Sequence, residues 1–584
     1  MSGIDWVVLS LTLLGIIGYG LYKSSSTRNL EGYFLSNRSM PWYLVLLSIM
    51  GTQASAITFL SAPGQAFTDG MRFVQYYFGL PLAMVVLCIT FVPLFAKLKV
   101  FTAYEYLEKR FDRKTRTLTS FLFLLQRGLS TGISIYAPSI ILSSLLGWNI
   151  FLTNIVMGGL LIIYTVTGGA KAVAYTQQLQ LIIIFIGMFL AGYMIVHLLP
   201  QDVGFTDALK VSGALGKLNV ITTGAEKGNF DWNDKYNMWS GVIGGFFLAL
   251  SYFGTDQSQV GRYLTAKNTR ESKLGLLING LIKVPMQFAI LLIGALLFSF
   301  YQFSPAPVFH NKAVETQALK TPFRDSLVPI SNQYNQLNKR QNALSLAYVT
   351  ADKAGAEADR NTIRDSLQQG NKQLDSLRTN YRGFIRKAMP VSDNNDTNYI
   401  FLRFVVDYLP VGLVGLLIAI IFLAAWGSIA AALNSLASCS VIDFHLRFCK
   451  EDMRSVSEVE IGQYKISKYY TLAWGVFSII VAEFANRMGS LIEAVNILGS
   501  LFYGVILGIF LVAFYLKNIS ARPVFIAAII SEIAIITLFV LNEYKIIGLS
   551  FLWLNVAGAL LVIFISLLLQ KLVPSRQVKP AIAG

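Results

Sequence analysis

Residues 411–445 read VGLVGLLIAIIFLAAWGSIAAALNSLASCSVIDFH. This run is long enough to cross a bilayer as one helix. Its centre carries small and polar residues, Ala424, Gly427, Ser428, Asn434 and Ser435, which a lipid-facing surface does not need. Small residues let a second helix approach closely, and hydroxyl and carbonyl oxygens can replace the hydration shell of a small cation. The stretch points to a membrane protein that handles an ion.

The rest of the chain agrees. Of its 584 residues 54% are hydrophobic and 14% charged, too little polar surface for a soluble protein of this size. The net charge of +16 comes from Lys and Arg concentrated in short loops, as the positive-inside rule expects. No basic stripe or recognition motif accompanies it, so nucleic acid is not a partner. Cys88, Cys439 and Cys449 offer neither a disulfide framework nor metal-ligand spacing, and His197, His310 and His445 have no second ligand at metal spacing. The start, MSGIDWVVLSLTLLGIIGYGLYK, lacks a basic n-region and a clear cleavage site, and reads as a span rather than a signal peptide. With no P-loop and no nucleophile elbow, an enzyme is not expected.

Hydropathy predicts an all-α polytopic protein of about thirteen spans, near 4–23, 42–62, 74–97, 118–145, 148–167, 176–199, 237–255, 273–302, 408–442, 466–486, 490–516, 522–542 and 547–570. Basic residues crowd the loops 97–116 and 256–273 and the tail (Lys571, Arg576, Lys579), which puts the N-terminus outside and the C-terminus in the cytoplasm. Three regions follow: 1–302 with spans one to eight, 303–399 as an extracytoplasmic insertion, and 400–584 with spans nine to thirteen and a short tail. In the insertion Leu337, Leu344 and Tyr348, then Ile363, Leu367, Leu374 and Tyr381, recur at helical spacing and predict a two-helix hairpin.

Span two carries Gly51-Thr52-Gln53-Ala54-Ser55 at mid-membrane, followed by Pro63-Gly64. That composition suits a broken helix, and breaks expose carbonyls and half-helix dipoles where transporters place ions and solutes. Span seven brings glycines before Ser251-Tyr252-Phe253-Gly254-Thr255, a second expected interruption five spans later. Spans 2–6 and 7–11 then form the halves of an inverted repeat.

Several stretches are recognisable together: Gly32-Tyr33-Phe34-Leu35 with Asn37-Arg38, 102–111 (TAYEYLEKRF), 168–173 (GGAKAV), Gly254-Thr255-Asp256-Gln257 with Arg262-Tyr263-Leu264, and Leu433-Asn434-Ser435-Leu436 with Asp443. In this order the chain resembles the sodium:solute symporter family, closest in pattern to its monocarboxylate, iodide and vitamin branch. The resemblance implies a five-plus-five inverted-repeat core of the leucine-transporter type in the plasma (inner) membrane. It implies alternating access, with a monomer sufficient for transport, and a sodium ion as transported co-substrate rather than a prosthetic group. Sodium would lie between spans two and nine, on the carbonyls of Gly51, Ala54 and Ala424 and on two adjacent hydroxyl positions. Those two positions read Gly427 and Ser428, so one hydroxyl is missing, and a proton-coupled or sodium-independent carrier stays open beside sodium coupling. A non-transporting solute sensor is the other alternative. Relatives with a second sodium use an acid where this chain has Gln177 and serines where it has Ala430 and Ala431, which implies at most one sodium per cycle.

The expected solute contacts are Thr52, Gln53, Ser55, Thr58, Arg127, Ser251 and Tyr252. Sugar-carrying relatives use an Asn where this chain has Ala249 and a Gln where it has Thr58, which argues against a sugar. The run Ser55–Leu60 with Pro63 leans to a small organic anion such as a monocarboxylate. Arg127, about 15 Å into span four, is placed to supply the counter-charge, and Lys283 in span eight invites the same reading. Glu493, Asn496 and Glu532 are expected to pack or gate.

Overall fold

The computed structural model describes residues 1–23, 30–226, 229–390, 395–448, 456–485 and 490–572. Cys449, Arg576 and Lys579 lie outside them. Hydrocarbon offers backbone groups no partner, so a span must satisfy its own hydrogen bonds, and the chain is built of helices. In order, these include α1 (Gly3–Lys23), α2 (Trp42–Gln53), α3 (Ala56–Asp69), α4 (Leu80–Ile89), α5 (Arg113–Leu146), α6 (Ile150–His197), α7 (Gly245–Thr255), α8 (Gln257–Tyr263), α9 (Thr269–Phe303), α10 (Arg324–Lys353), α11 (Glu357–Ala388), α12 (Leu413–Cys439), α13 (Val456–Ala482), α14 (Leu491–Tyr515), α15 (Ala521–Glu543) and α16 (Phe551–Leu572). The one sheet among the described residues pairs Ala225–Glu226 with Asn229–Phe230.

Nine helices among the described residues are long and apolar enough to cross a membrane, ten if the bent pair α2–α3 is one span; Ile150–Val166 and Ser240–Thr255 are apolar but shorter. The expected thirteen therefore do not all stand as separate full-length apolar helices. Spans five and six are continuous in α6, a run of 48 residues. Within it Tyr164 and Thr176 share a side-chain hydrogen bond of 2.7 Å. Twelve residues of straight helix rise about 18 Å, so α6 must bend sharply between them. Span seven begins as a π-helical turn, Ser240–Gly244, and its α-helix is uninterrupted from Gly245 to Thr255. The expected interruption at Ser251–Thr255 thus falls just after it, where Asp256 leaves the helical conformation (ψ 115°) and α8 begins.

Helix α12 is the centre of the bundle. A helix that is apolar on all sides is a buried one, and from Leu417 to Cys439 every residue is buried. The chain continues through a π-helical segment, Ser440–His445, that carries Asp443. The Asp443 carboxylate accepts Arg116 Nε at 2.7 Å and Nη2 at 2.5 Å, Thr102 Oγ1 at 2.8 Å and Ser120 Oγ at 3.0 Å. Every partner a buried ion pair needs is present.

The 303–399 segment folds as the expected hairpin of α10 and α11. Leu337, Leu374 and Tyr381 pack with Val308 and Phe309, while Leu344, Tyr348, Ile363 and Leu367 pack with Val211. Its return arm grips the broken span. A Cβ on Gly64 would fall 2.1 Å from the Thr397 carbonyl oxygen, so α3 lies directly on 397–399. Beside it Asp396 accepts His310 N at 2.7 Å, and His310 Nδ1 lies 2.8 Å from the same carboxylate oxygen; Arg382 reaches the other oxygen at 2.5 Å. The His310 ring meets Phe67 edge-on at 5.8 Å.

Burial pushes the His310 imidazole below its ordinary value of 6.5, and Asp396 recovers part of the shift. Burial also opposes the Asp396 charge, but Arg382 and His310 outweigh it and hold that carboxyl well below its usual range. The undocked segment therefore binds protons that the docked one does not. Docking is complete above about pH 6.5 and weakens as pH falls through the imidazole range, with the carboxylate adding its loss at lower pH. Hydrogen exchange of 306–312 and 395–399, corrected for intrinsic rates, should accelerate between pH 7 and 5; equal protection at both would contradict this.

Candidate functional site

Span two breaks where Ala54 (ψ 69°) and the extended Ser55 (ψ 167°) interrupt the helix, and α2 and α3 meet at 59°. The bonds that remain are local: Ala54 N donates to Met50 O at 2.7 Å, Ser55 N to Gln53 O at 2.9 Å and Thr58 N to Ser55 O at 3.0 Å. No described hydrogen bond ends on the Gly51 or Ala54 carbonyl. Both oxygens are free to hold a cation.

A cavity of about 140 Å³ opens beside the break. A water needs about 10–15 Å³ on the same measure, so there is room for a small solute and none for a lipid-sized one. Thr52, Gln53, Ser55 and Thr58 line it from the break, Arg127, Ser130, Thr131 and Ser134 from α5, Ala249 and Tyr252 from α7, Lys283 from α9, Ser428 from α12, and Asn496 and Tyr503 from α14. Tyr76 and Tyr77 close another side, and Tyr76 donates to Asn496 Oδ1 at 3.1 Å.

Two cations reach this space and they differ in what faces them. Arg127 Nη1 lies 3.8 Å from Asp256 Oδ2, while its Nε has no partner. Asp256 also takes the Tyr503 hydroxyl at 2.8 Å, and Gln259 Nε2 donates to the Tyr252 hydroxyl at 2.7 Å. Lys283 is buried, with its ammonium 5.7 Å from the centre of the Tyr77 ring; no described carboxylate lies within ion-pair distance.

On the far side of α2 three helices are tied by one side chain. Gln177 of α6 accepts Ser48 Oγ at 2.9 Å through its oxygen, and its nitrogen lies 3.3 Å from Thr52 Oγ1 and 3.0 Å from Gly427 O. Ser428 Oγ donates to Ala424 O at 3.0 Å and Ala425 O at 3.1 Å, which leaves the lone pairs of the hydroxyl outward.

The sodium:solute symporter family model matches residues 33–321 and 380–531. The chain belongs to the sodium:solute symporter family. The unmatched stretch between the two blocks is nearly all of α10 and α11, so the hairpin is an addition to the family core. The sodium/sialic acid symporter of Proteus mirabilis (strain HI4320) is 25% identical over 91% of this chain and 89% of its own length. The Homo sapiens sodium/iodide cotransporter is 31% identical over 51% of this chain, a match that spans 45% of that relative. The Xenopus laevis sodium-coupled monocarboxylate transporter 1 is 24% identical over 87% of this chain and 67% of its own length. The solved substrate-bound outward-open state of a Na+-coupled sialic acid symporter superimposes with a TM-score of 0.73 at 23% identity, covering 99% of both chains. The expected polytopic transporter fold is therefore shared with that structure, and the family match with its sodium-coupled relatives makes sodium the transported co-substrate.

Within this family member, Thr52, Gln53, Ser55, Thr58, Arg127, Tyr252 and Ser428 are brought to one cavity. Gly51, Ala54, Ala424 and Gly427 do not line this cavity; the Gly427 carbonyl accepts from Gln177 and the Ala424 carbonyl from Ser428. Ser251 does not line it either: its hydroxyl donates to Tyr503 O at 2.7 Å and lies 3.2 Å from Thr255 Oγ1, so it fastens α7 to α14. Arg127 is also reassigned in part, since an acid of the chain itself stands opposite it. That acid, Asp256, and its partner Tyr503 were missed; an acid at the edge of an apolar span, next to Gly254-Thr255, was the available signal. Glu493 accepts the Tyr236 hydroxyl at 3.1 Å and pairs with Lys235 at 3.1 Å.

Removing one partner of a buried ion pair leaves the other uncompensated. Arg127→Gln should lower stability by about 3 kcal/mol, and Arg127→Gln with Asp256→Asn should recover most of that loss. Thermal midpoints of the two variants decide it, and a double variant no better than the single would dissolve the pair.

Proposed function

We propose that this symporter imports a small organic anion of monocarboxylate size together with one sodium ion, across the plasma (inner) membrane. Its N-terminus lies outside and its C-terminus in the cytoplasm, an orientation supported by the basic loops 97–116 and 256–273. The observation that carries the solute class is charge balance. Arg127 and Lys283 reach the cavity against the single carboxylate of Asp256. In a low-dielectric site an uncompensated ammonium is costly, and a bound monoanion brings the sum of these side chains and the solute to zero, the sodium ion apart.

Sodium fits the break. The Gly51 and Ala54 carbonyls accept no other bond, and the Ala424 carbonyl and Ser428 hydroxyl supply two more oxygens from α12, with none from a side chain at Gly427. A second ion has no comparable seat, because Gln177 is a neutral amide occupied by Ser48, Thr52 and Gly427. Ala430 and Ala431 add no hydroxyl. Sodium held between α2 and α12 favours the outward-open arrangement, solute then binds beside the break, and rocking of one bundle against the other releases both inside. Coupling requires that each ligand bind the two arrangements unequally.

The purified protein should gain thermal stability in sodium over potassium at equal ionic strength, and short monocarboxylates should add to the gain. Equal midpoints in the two salts would favour the proton-coupled or sodium-independent carrier that Gly427 leaves open, and saturable solute binding without accumulation would make the chain a sensor. Lys283→Met should weaken anion binding about 10- to 100-fold and leave the sodium-only gain in place. Unchanged anion affinity would take Lys283 out of the site.

A further inference from the structure

Helix α9 carries a polar stripe of which the cavity uses only the middle. Asn279, Lys283 and Gln287 follow one another at four-residue spacing, which sets them on one face. Gly275 and Gly294 bracket them on that face. A Cβ on Gly275 would fall 2.9 Å from Val45 Cγ1 of α2, and one on Gly294 would strike the Pro63 carbonyl oxygen of α3. The stripe therefore lies along the seam between α9 and the broken span. Lys283 lines the cavity, whereas Asn279 and Gln287 do not. Both amides are fully buried, and neither polar atom of either one meets a described hydrogen-bond partner. Only one other amide among the described residues, Asn434 of α12, is buried with both atoms unpaired. A seam that served packing alone would be apolar here. An amide buried without a partner costs free energy, and this seam holds two, one helical turn to either side of Lys283.

We propose that Gln287 and Asn279 are the entry and exit stations of the solute: each pairs with it in the arrangement open to its own side, and Lys283 holds it in between. The proposal rests on the anion reading and the orientation given above. Helix α9 leaves the basic loop 256–273 and ends at the insertion. Asn279 then stands on the cytoplasmic side of Lys283 and Gln287 on the outer side, each about 6 Å away along the axis. The chemistry suits a path. Carboxylate oxygens accept from an amide N–H, and a hydroxyl on the solute donates to an amide oxygen. An amide has no net charge, so it receives the anion without competing with Lys283 for it. A second cation in its place would hold what has to be released. The two amides are idle in this arrangement because the seam is closed over them.

The test uses the full-length protein in liposomes, with an inward sodium gradient and labelled propionate as the probe. Gln287→Leu and Asn279→Leu keep the bulk and remove the idle amide. Each should lower the initial rate of uptake at least about tenfold. Each should also leave the thermal midpoint of the purified protein equal or higher, since an apolar side chain suits a dry seam better than an unpaired amide. A residue that serves packing gives the reverse pattern, a lower midpoint with uptake retained. A second pair of variants reads the two sides. Gln287→Cys should react with a membrane-impermeant thiol reagent in right-side-out vesicles and Asn279→Cys in inverted ones, each above the wild-type background and each more slowly in propionate. Wild-type uptake by the Leu variants, a fall in their midpoints, or a cysteine that does not react from its own side overturns the proposal. If wild type takes up propionate and the Leu variants do so equally, only this inference fails. If wild type takes up none, the anion reading fails and this inference with it.

Discussion

A backbone that leaves its helical ladder inside hydrocarbon must find partners elsewhere, and the rest of this architecture is arranged around one such departure. At Ala54 and Ser55 the chain stops being a helix and resumes 59° away. The polar groups released there are tolerable because α6, α12 and the cavity surround them. The Gln177 bridge is the clearest case: one neutral side chain meets α2 at two hydroxyls and α12 at a carbonyl. It holds three helices in register at the break without needing a charge, and it leaves the Gly51 and Ala54 carbonyls unclaimed.

The cavity beside the break is governed by charge in a poor dielectric. Asp256 is satisfied many times over, by Tyr503, by the backbone of Ser258 and by Arg127 across a longer gap. Lys283 has an aromatic face for company and no described carboxylate in reach. That asymmetry is internal to the protein and exists before any solute arrives. It separates a residue whose charge is answered within the chain from one whose charge is not, a distinction that depth in the membrane does not make.

Much of this could be read from residue order. The break at 54–55 announces itself through small and hydroxyl residues in the middle of an apolar run, and the 3.6-residue spacing of Leu337, Leu344 and Tyr348 against Ile363, Leu367 and Leu374 foretells which faces of the hairpin meet. What stayed hidden depends on side-chain direction or on partners far along the chain. Ser251 and Tyr252 are neighbours in sequence, yet a helix sends one to α14 and the other to the cavity. Spans five and six are joined by a bend of α6 between Tyr164 and Thr176, and a hydropathy dip does not tell a bent helix from a loop. The bond from Gln177 Nε2 to the Gly427 carbonyl joins positions 250 residues apart.

The hairpin is fastened at both ends. At its base Asp396, His310 and Thr397 are buried against α3. At its tip the joints are the exposed pairs Lys210–Asp352 and Lys353–Asp207, with Tyr348 and Leu367 on Val211. Two antiparallel helices of about thirty residues, each roughly 45 Å long, thus form a strut laid from the broken span to the segment that follows α6. A strut does not stretch, so when α3 tilts one joint must slip. Exposed ion pairs are screened by salt and give way before a buried cluster does. The strut is therefore built with a sacrificial end, which lets the broken span move while its own grip on the insertion is kept, and ties the ease of that motion to the salt around its tip.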